Sequence, residues 1–254
     1  MESMQPFLTL FGLATLRYLP LAVLPALSPL AWAPTLVRIV VMLALAWLTV
    51  LALPEGAGFQ GGGGRLVLAI LGELMVGAVF GLAFMLPSAA LHSAGWVVDM
   101  QAGLGAATLF NPGSESGAES LLGHALMLAM TVLFFVLDLH LLLFRAIAAS
   151  TQWLPPGGAG MRLDVEGFMQ LLGASFVAGV MVVAPVVVGL FCVDLGVGYA
   201  SRSMPQANVY FLALPLKIAV AIGLLALTLA YAPALMGRLF GEAAAQVPSV
   251  LGGR

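Results

Sequence analysis

Residues 66–86 read Leu66-Val-Leu-Ala-Ile-Leu-Gly-Glu-Leu-Met-Val-Gly-Ala-Val-Phe-Gly-Leu-Ala-Phe-Met-Leu86, with Glu73 the one charged side chain among them. About 20 largely apolar residues suffice, as a helix, to cross the hydrocarbon of a bilayer. The rest of the chain repeats the pattern. Of its 254 residues 62% are hydrophobic and 8% charged, and the mean hydropathy is +1.10; soluble domains carry roughly 25% charged residues. So few polar side chains cannot coat a soluble exterior, and a bilayer or neighbouring subunits must cover the remainder. A net charge of −2 offers no basic patch, which sets nucleic acid aside as a partner.

Outward from residues 66–86, five further apolar segments predict an all-α, polytopic membrane-type protein. About six broken or kinked helices form hairpins within one domain spanning 1–254. They run over roughly residues 6–27, interrupted by Pro20 and Pro25; 35–53; 121–149; 167–193, holding Pro185; and 209–235, holding Pro215. The third helix has a continuation open to Asp99. The first segment lacks a positive leading region and carries Arg17 and Pro20, so it reads as a retained helix rather than a signal peptide. Irregular backbone at membrane depth is tolerated only where it is buried in protein or lines a cavity. Gly77 and Gly81 stand at helix-packing spacing, within one subunit or at a seam between subunits.

Residues 101–117 (Gln101-Ala-Gly-Leu-Gly-Ala-Ala-Thr-Leu-Phe-Asn-Pro-Gly-Ser-Glu-Ser-Gly117) are too rich in glycine for a continuous helix. They nevertheless keep Leu104, Leu109 and Phe110, which a solvated loop has no use for. Within the apolar segments stand Arg17, Glu73, Asp138, His140, Arg145 and Lys217. A charge at a helix centre costs roughly 2.5–3.5 kcal/mol on insertion scales, so these groups must pair, snorkel or face a wet interior. They read either as partners that fix helix register or as a proton or ion relay. Lys217 follows Pro215 by two residues and is placed to cap a carbonyl that the proline frees; Arg38, near a helix start, reads as snorkelling. The single cysteine, Cys192, permits no internal disulfide and reads as a small core residue. The three histidines are scattered, and phosphate-binding, dinucleotide and nucleophile motifs are absent. No catalytic residue, cofactor or metal site is expected.

Three stretches together resemble the FliR family of flagellar export-gate proteins and its counterpart in virulence type III secretion, the SctT-like proteins. The first is Val98-Asp-Met-Gln-Ala-Gly-Leu-Gly-Ala-Ala-Thr-Leu-Phe-Asn-Pro112. The second is Leu139-His-Leu-Leu-Leu-Phe-Arg-Ala-Ile147 with the Leu-Pro-Pro-Gly turn at 154–157. The third is Ala200-Ser-Arg-Ser-Met-Pro-Gln-Ala-Asn-Val-Tyr-Phe-Leu-Ala-Leu-Pro-Leu-Lys217. Length and helix pattern match from end to end. At Asp138-Leu-His140 this chain departs from the Asn-Gly-His more usual in flagellar members, which keeps the virulence counterpart open.

The resemblance implies a non-catalytic subunit of a hetero-oligomeric export gate in the bacterial inner (cytoplasmic) membrane, at the flagellar basal body. Its implied partners are FliP-like and FliQ-like gate subunits, a FlhB-like switch protein, a FlhA-like export protein, unfolded protein substrates in transit, and membrane lipid. It also implies that the glycine-rich loop at 101–120 forms part of a pore plug through Gly103, Leu104, Gly105, Leu109, Phe110, Asn111 and Pro112. A buried re-entrant turn without gating is the alternative. Arg202, Pro205, Gln206, Asn208, Pro215 and Lys217 read as a structural corner, and Glu73, Asp138, His140 and Arg145 as buried polar groups holding register. From another class, a small secondary transporter requires two corresponding broken segments, and the loop at 103–117 has no clear partner in the C-terminal half.

Overall fold

A computed structural model of the chain describes residues 4–23, 33–53, 59, 61–104, 120–157, 164–204 and 208–251, the side chains at 4–6, 210 and 249 excepted. The described residues hold eight helices and no strand: α1 (Met4–Val23), α2 (Thr35–Leu51), α3 (Gly63–Ala102), α4 (Leu121–Val136), α5 (Leu139–Trp153), α6 (Val165–Ser203), α7 (Val209–Leu229) and α8 (Ala232–Val250). The helix α3, the segment 66–86 and its continuation in one piece, is the axis of the fold. It packs against α1, α4, α6 and α8. At 1.5 Å per residue it is about 60 Å long, twice the hydrocarbon thickness of a bilayer. α3, α6 and residues 211–229 are long and apolar enough to cross a membrane, and α4 with α5 passes the same test as one span bent by 66°.

Small residues set the crossings. A Cβ on Gly77 would fall on the backbone carbonyl of Arg17, and Gly81 faces Pro20, so the Gly77–Gly81 pair seats α1 on α3 within the subunit. A Cβ on Gly95 would lie 2.5 Å from the Cα of Gly123, and one on Gly179 would lie 3.0 Å from the backbone of Ala90. α4 and α6 thereby come into backbone contact with α3.

Several boundaries differ from the sequence expectation, each for a local reason. The helix expected over 121–149 breaks at Asp138, which takes a left-handed conformation (φ 54°) that aspartate accepts more readily than most residues. The fifth expected helix continues ten residues past Val193 to Ser203, so Asp194 lies inside α6, and the polar break shrinks to the residues around 204–208. The sixth ends at Leu229, and the chain then folds back as α8, whose Met236, Phe240, Ala243, Val247 and Val250 are fully buried. Phe240 meets Phe84 of α3 at 5.4 Å and Phe134 of α4 at 5.5 Å between ring centroids. Cys192, expected in the core, is exposed on α6. Arg38, expected to snorkel, donates instead to Ala33 O (2.9 Å) and Ala22 O (3.1 Å), tying the end of α1 to the start of α2. Large apolar side chains face outward along whole helices, among them Leu36, Val40, Leu48 and Leu51 on α2 and Val180, Val188, Phe191 and Leu195 on α6.

Candidate functional site

The glycine-rich segment leaves α3 through a Schellman turn. Gly103, at φ 83°, donates from its N–H to Met100 O (3.3 Å), and the Leu104 N–H donates to Asp99 O (3.0 Å). The left-handed conformation at this position favours glycine. The segment rejoins the fold at Ser120, the N-cap of α4, whose Oγ accepts from the Gly123 N–H (2.8 Å). Asp99 closes the two ends on each other. Its buried carboxylate accepts from Ser120 Oγ (2.5 Å) and from the Leu122 N–H (3.1 and 3.2 Å to its two oxygens). A charge at this depth is stabilised by three contacts and by the positive end of α4. Of the residues expected in a plug, Gly103 and Leu104 therefore sit at an anchored base, while Gly105, Leu109, Phe110, Asn111 and Pro112 lie outside the described residues.

A second anchor comes from α7. Lys217, buried, donates to Gln101 O (3.4 Å) and forms an ion pair with Asp194 of α6. The carbonyl it meets belongs to the last turn of α3, where a cation is favoured by the helix dipole. Lys217 thus caps the end of another helix. The side-chain amide of Gln101 donates to Val187 O of α6 (3.0 Å), and a Cβ on Gly103 would lie 2.6 Å from Leu214 Cδ2. The base of the segment is gripped from three sides, by α4, α6 and α7.

Glu73 belongs to a separate buried cluster. Arg17 of α1 donates from Nε to Glu73 Oε2 (2.5 Å), from Nη2 to Glu73 Oε1 (3.0 Å) and to Leu154 O (2.9 Å), and from Nη1 to Ser150 Oγ (2.9 Å). The Gly157 N–H completes the carboxylate at 2.9 Å. Every member has a partner, as a buried charge requires.

The other polar residues expected in buried register contacts stand elsewhere in the single chain. Asp138, Arg145, Arg202, Asn208 and Pro215 are exposed, because the bend at Asp138 and the extension of α6 turn them outward; the Asn208 side chain caps nothing at the start of α7. His140 is half-buried beside Phe135 (ring centroids 5.1 Å). Pro205 and Gln206 lie outside the described residues. Asp99, Ser120 and Asp194 were missing from the expected site. The first two had a signal: a lone carboxylate ahead of the glycines, and a serine immediately before an apolar run.

Comparison with known proteins bears on what this arrangement serves. Residues 8–243 match the family described as bacterial export proteins, family 1. The chain is similar to the flagellar biosynthetic protein FliR of Bacillus subtilis, 36% identical over 153 residues and 58% of each chain. It is also similar to the protein of that name from Caulobacter vibrioides, 31% identical over 207 residues, 81% of this chain and 79% of the other. The Yop proteins translocation protein T of Yersinia pestis is 28% identical over 213 residues, 78% of this chain and 77% of the other. The match spans less than two thirds of the Bacillus relative's length.

Proposed function

Because this chain belongs to the bacterial export proteins, family 1, the family of the FliR-type flagellar proteins, we propose that it is a non-catalytic subunit of a type III protein-export gate. It works in the inner membrane, assembled with FliP-like and FliQ-like subunits around a channel for unfolded protein substrates, with FlhB-like and FlhA-like proteins as further partners. The family match carries this reading, since it runs through both anchors of the glycine-rich segment. Within the gate that segment contributes to the plug. In support, its base is held by buried charges while its glycines leave the backbone between the anchors few steric restraints, and the apolar Leu109 and Phe110 suit a seal against water and ions. The outward apolar faces of α2 and α6 suit contact with lipid and neighbouring subunits.

Native mass spectrometry after co-expression with FliP-like and FliQ-like partners tests assembly. A defined hetero-oligomer with this chain as a minority subunit is expected; a stable monomer or homo-oligomer overturns the reading. Leu109→Gly with Phe110→Gly in the assembled gate should make membranes leak small solutes, and unchanged permeability removes the plug assignment. We take the flagellar system first, although identity does not separate it from virulence secretion: flagellar relatives lie at 26–36% and the Yersinia protein at 28%. Restored motility in a flagellar deletion strain would bear this out, and rescue of effector secretion alone would reverse it.

A further inference from the structure

Between α1, α2 and the bend joining α4 to α5 lies a half-open cavity of about 270 Å³ with almost wholly apolar walls, among them Leu21, Val41, Met42, Leu45, Phe135 and Phe144. Apolar voids of such character stay dry, and their lining atoms lack contact partners on one side. Hydrocarbon is the filling that restores those contacts. Three polar side chains stand on the wall, and the Tyr18 hydroxyl is already paired with Thr49 Oγ1. Arg38 spends Nε and Nη1 on the neutral carbonyls of Ala33 and Ala22, and its Nη2 reaches only Thr35 Oγ1, at 3.4 Å and in an exposed position. Among the described residues no carboxylate pairs with it, so its charge is uncompensated. His140 Nδ1 is buried and has no hydrogen-bond partner among the described residues.

The position of Arg38 names the source of the missing anion. α2 turns Leu36, Val40, Leu48 and Leu51 outward, and its 17 residues measure about 25 Å, enough to lie along a lipid acyl chain though short of a full span. Arg38 lies in the first turn of this helix, at one end of its outward apolar face, from which an arginine side chain can reach a headgroup phosphate. We propose that the cavity binds one acyl chain of a glycerophospholipid with an anionic headgroup. The phosphate, with no headgroup ammonium to offset its charge, pairs with Arg38, and the chain lies along α2 against Phe135 and Phe144. This inference is independent of assembly into an export gate.

The test uses the full chain in nanodiscs of phosphatidylglycerol and phosphatidylcholine, with a trace of either lipid carrying a diazirine on its acyl chain, followed by irradiation and peptide mapping. Adducts of the phosphatidylglycerol probe should concentrate on α2 and α5 and exceed those on the exposed Val180–Val188 face of α6. Replacing Arg38 by glutamine should lower that labelling about tenfold, the worth of one charge-assisted phosphate contact. R38K should retain it, and V41W, which fills the cavity, should abolish labelling there by either probe. If R38Q fails to fold, the contrast between R38K and V41W decides. Uniform labelling of all outward faces, equal labelling by the zwitterionic probe, or indifference to V41W overturns the proposal.

Discussion

Replacing Glu73 with alanine would leave the Arg17 guanidinium between α1, α3 and the end of α5 with no counter-charge. Three donors lose their acceptor: Arg17 Nε, one N–H of Nη2, and the Gly157 N–H. At about 1–3 kcal/mol for each buried donor left unsatisfied, the loss is at least about 3 kcal/mol. Breaking a buried ion pair costs about 3–5 kcal/mol by direct comparison. Both figures describe the same event and are not summed. With the two side chains only 2% and 4% exposed, water cannot make good the deficit. For a chain of this size the expected fall in Tm is about 6–20 °C, taking about 2–4 °C per kcal/mol. The double variant Arg17→Met, Glu73→Leu removes both charges together and restores apolar packing. It leaves Leu154 O, Ser150 Oγ and the Gly157 N–H without these partners, though with no buried charge unpaired, so it should cost only about 1–3 kcal/mol, less than Glu73→Ala alone. Thermal scanning of the purified full chain in mild detergent, read by loss of the monodisperse peak, measures both. A Glu73→Ala loss below about 1 kcal/mol, or a double variant as unstable as the single, would refute the view that the pair is held by mutual compensation.

The other expectations concern the base of the glycine-rich segment. Asp99→Ala unties α3 from α4 and should cost about 1–2 kcal/mol, as loss of a helix cap does; limited proteolysis should then cut faster within residues 105–119, and an unchanged rate would show that Asp99 does not restrain the segment. Gly103→Val forces a β-branched residue into φ 83° and against Leu214, costing at least about 1–2 kcal/mol; adding Leu214→Ala should recover the steric part alone, and full recovery would mean the backbone conformation is not the constraint. The Lys217–Asp194 pair is asymmetric, with side chains 7% and 38% exposed. Asp194→Ala strips a buried ammonium of this carboxylate, whereas Lys217→Met leaves a carboxylate that water can reach, so the aspartate variant should melt lower; the reverse order would contradict the burial argument.

Much of this fold was legible because its signals are local. Composition fixed the membrane class, and residues 66–86 with their continuation gave α3. The missed helix α8 was also legible. Ala232, Met236, Leu239, Phe240, Ala243, Val247 and Val250 recur at helical spacing, but Arg238, Glu242 and Gln246 between them lower the mean hydropathy on which a search for spans depends. The break at Asp138 had a sign as well, an aspartate inside an apolar run, a residue that tolerates left-handed backbone better than most. What no local pattern could supply was the identity of partners. Glu73 plainly needed a cation, yet Arg17 lies 56 residues away, and the choice among Arg17, Arg145 and Lys217 is made only by the packing of α1 on α3 through Gly77.

The same consideration accounts for two of the three stretches that carry the family resemblance. Residues 98–112 and 200–217 are remote in sequence and were read separately, one as a plug and the other as a corner. In the fold they meet at the end of α3, where Lys217 caps the carbonyl of Gln101 and Leu214 occupies the space beside Gly103. Each odd residue type then has a physical reason. Glycine is needed at 103 because the Schellman turn requires positive φ and Leu214 leaves no room for a Cβ. A lysine at 217 serves because a helix C-terminus in an apolar setting calls for a cation, and Asp194, one helix over, compensates the charge that the lysine brings. The ion pair thereby couples the α6–α7 corner to the base of the glycine-rich segment. A displacement of that corner must either carry the end of α3 with it or expose the carbonyl of Gln101.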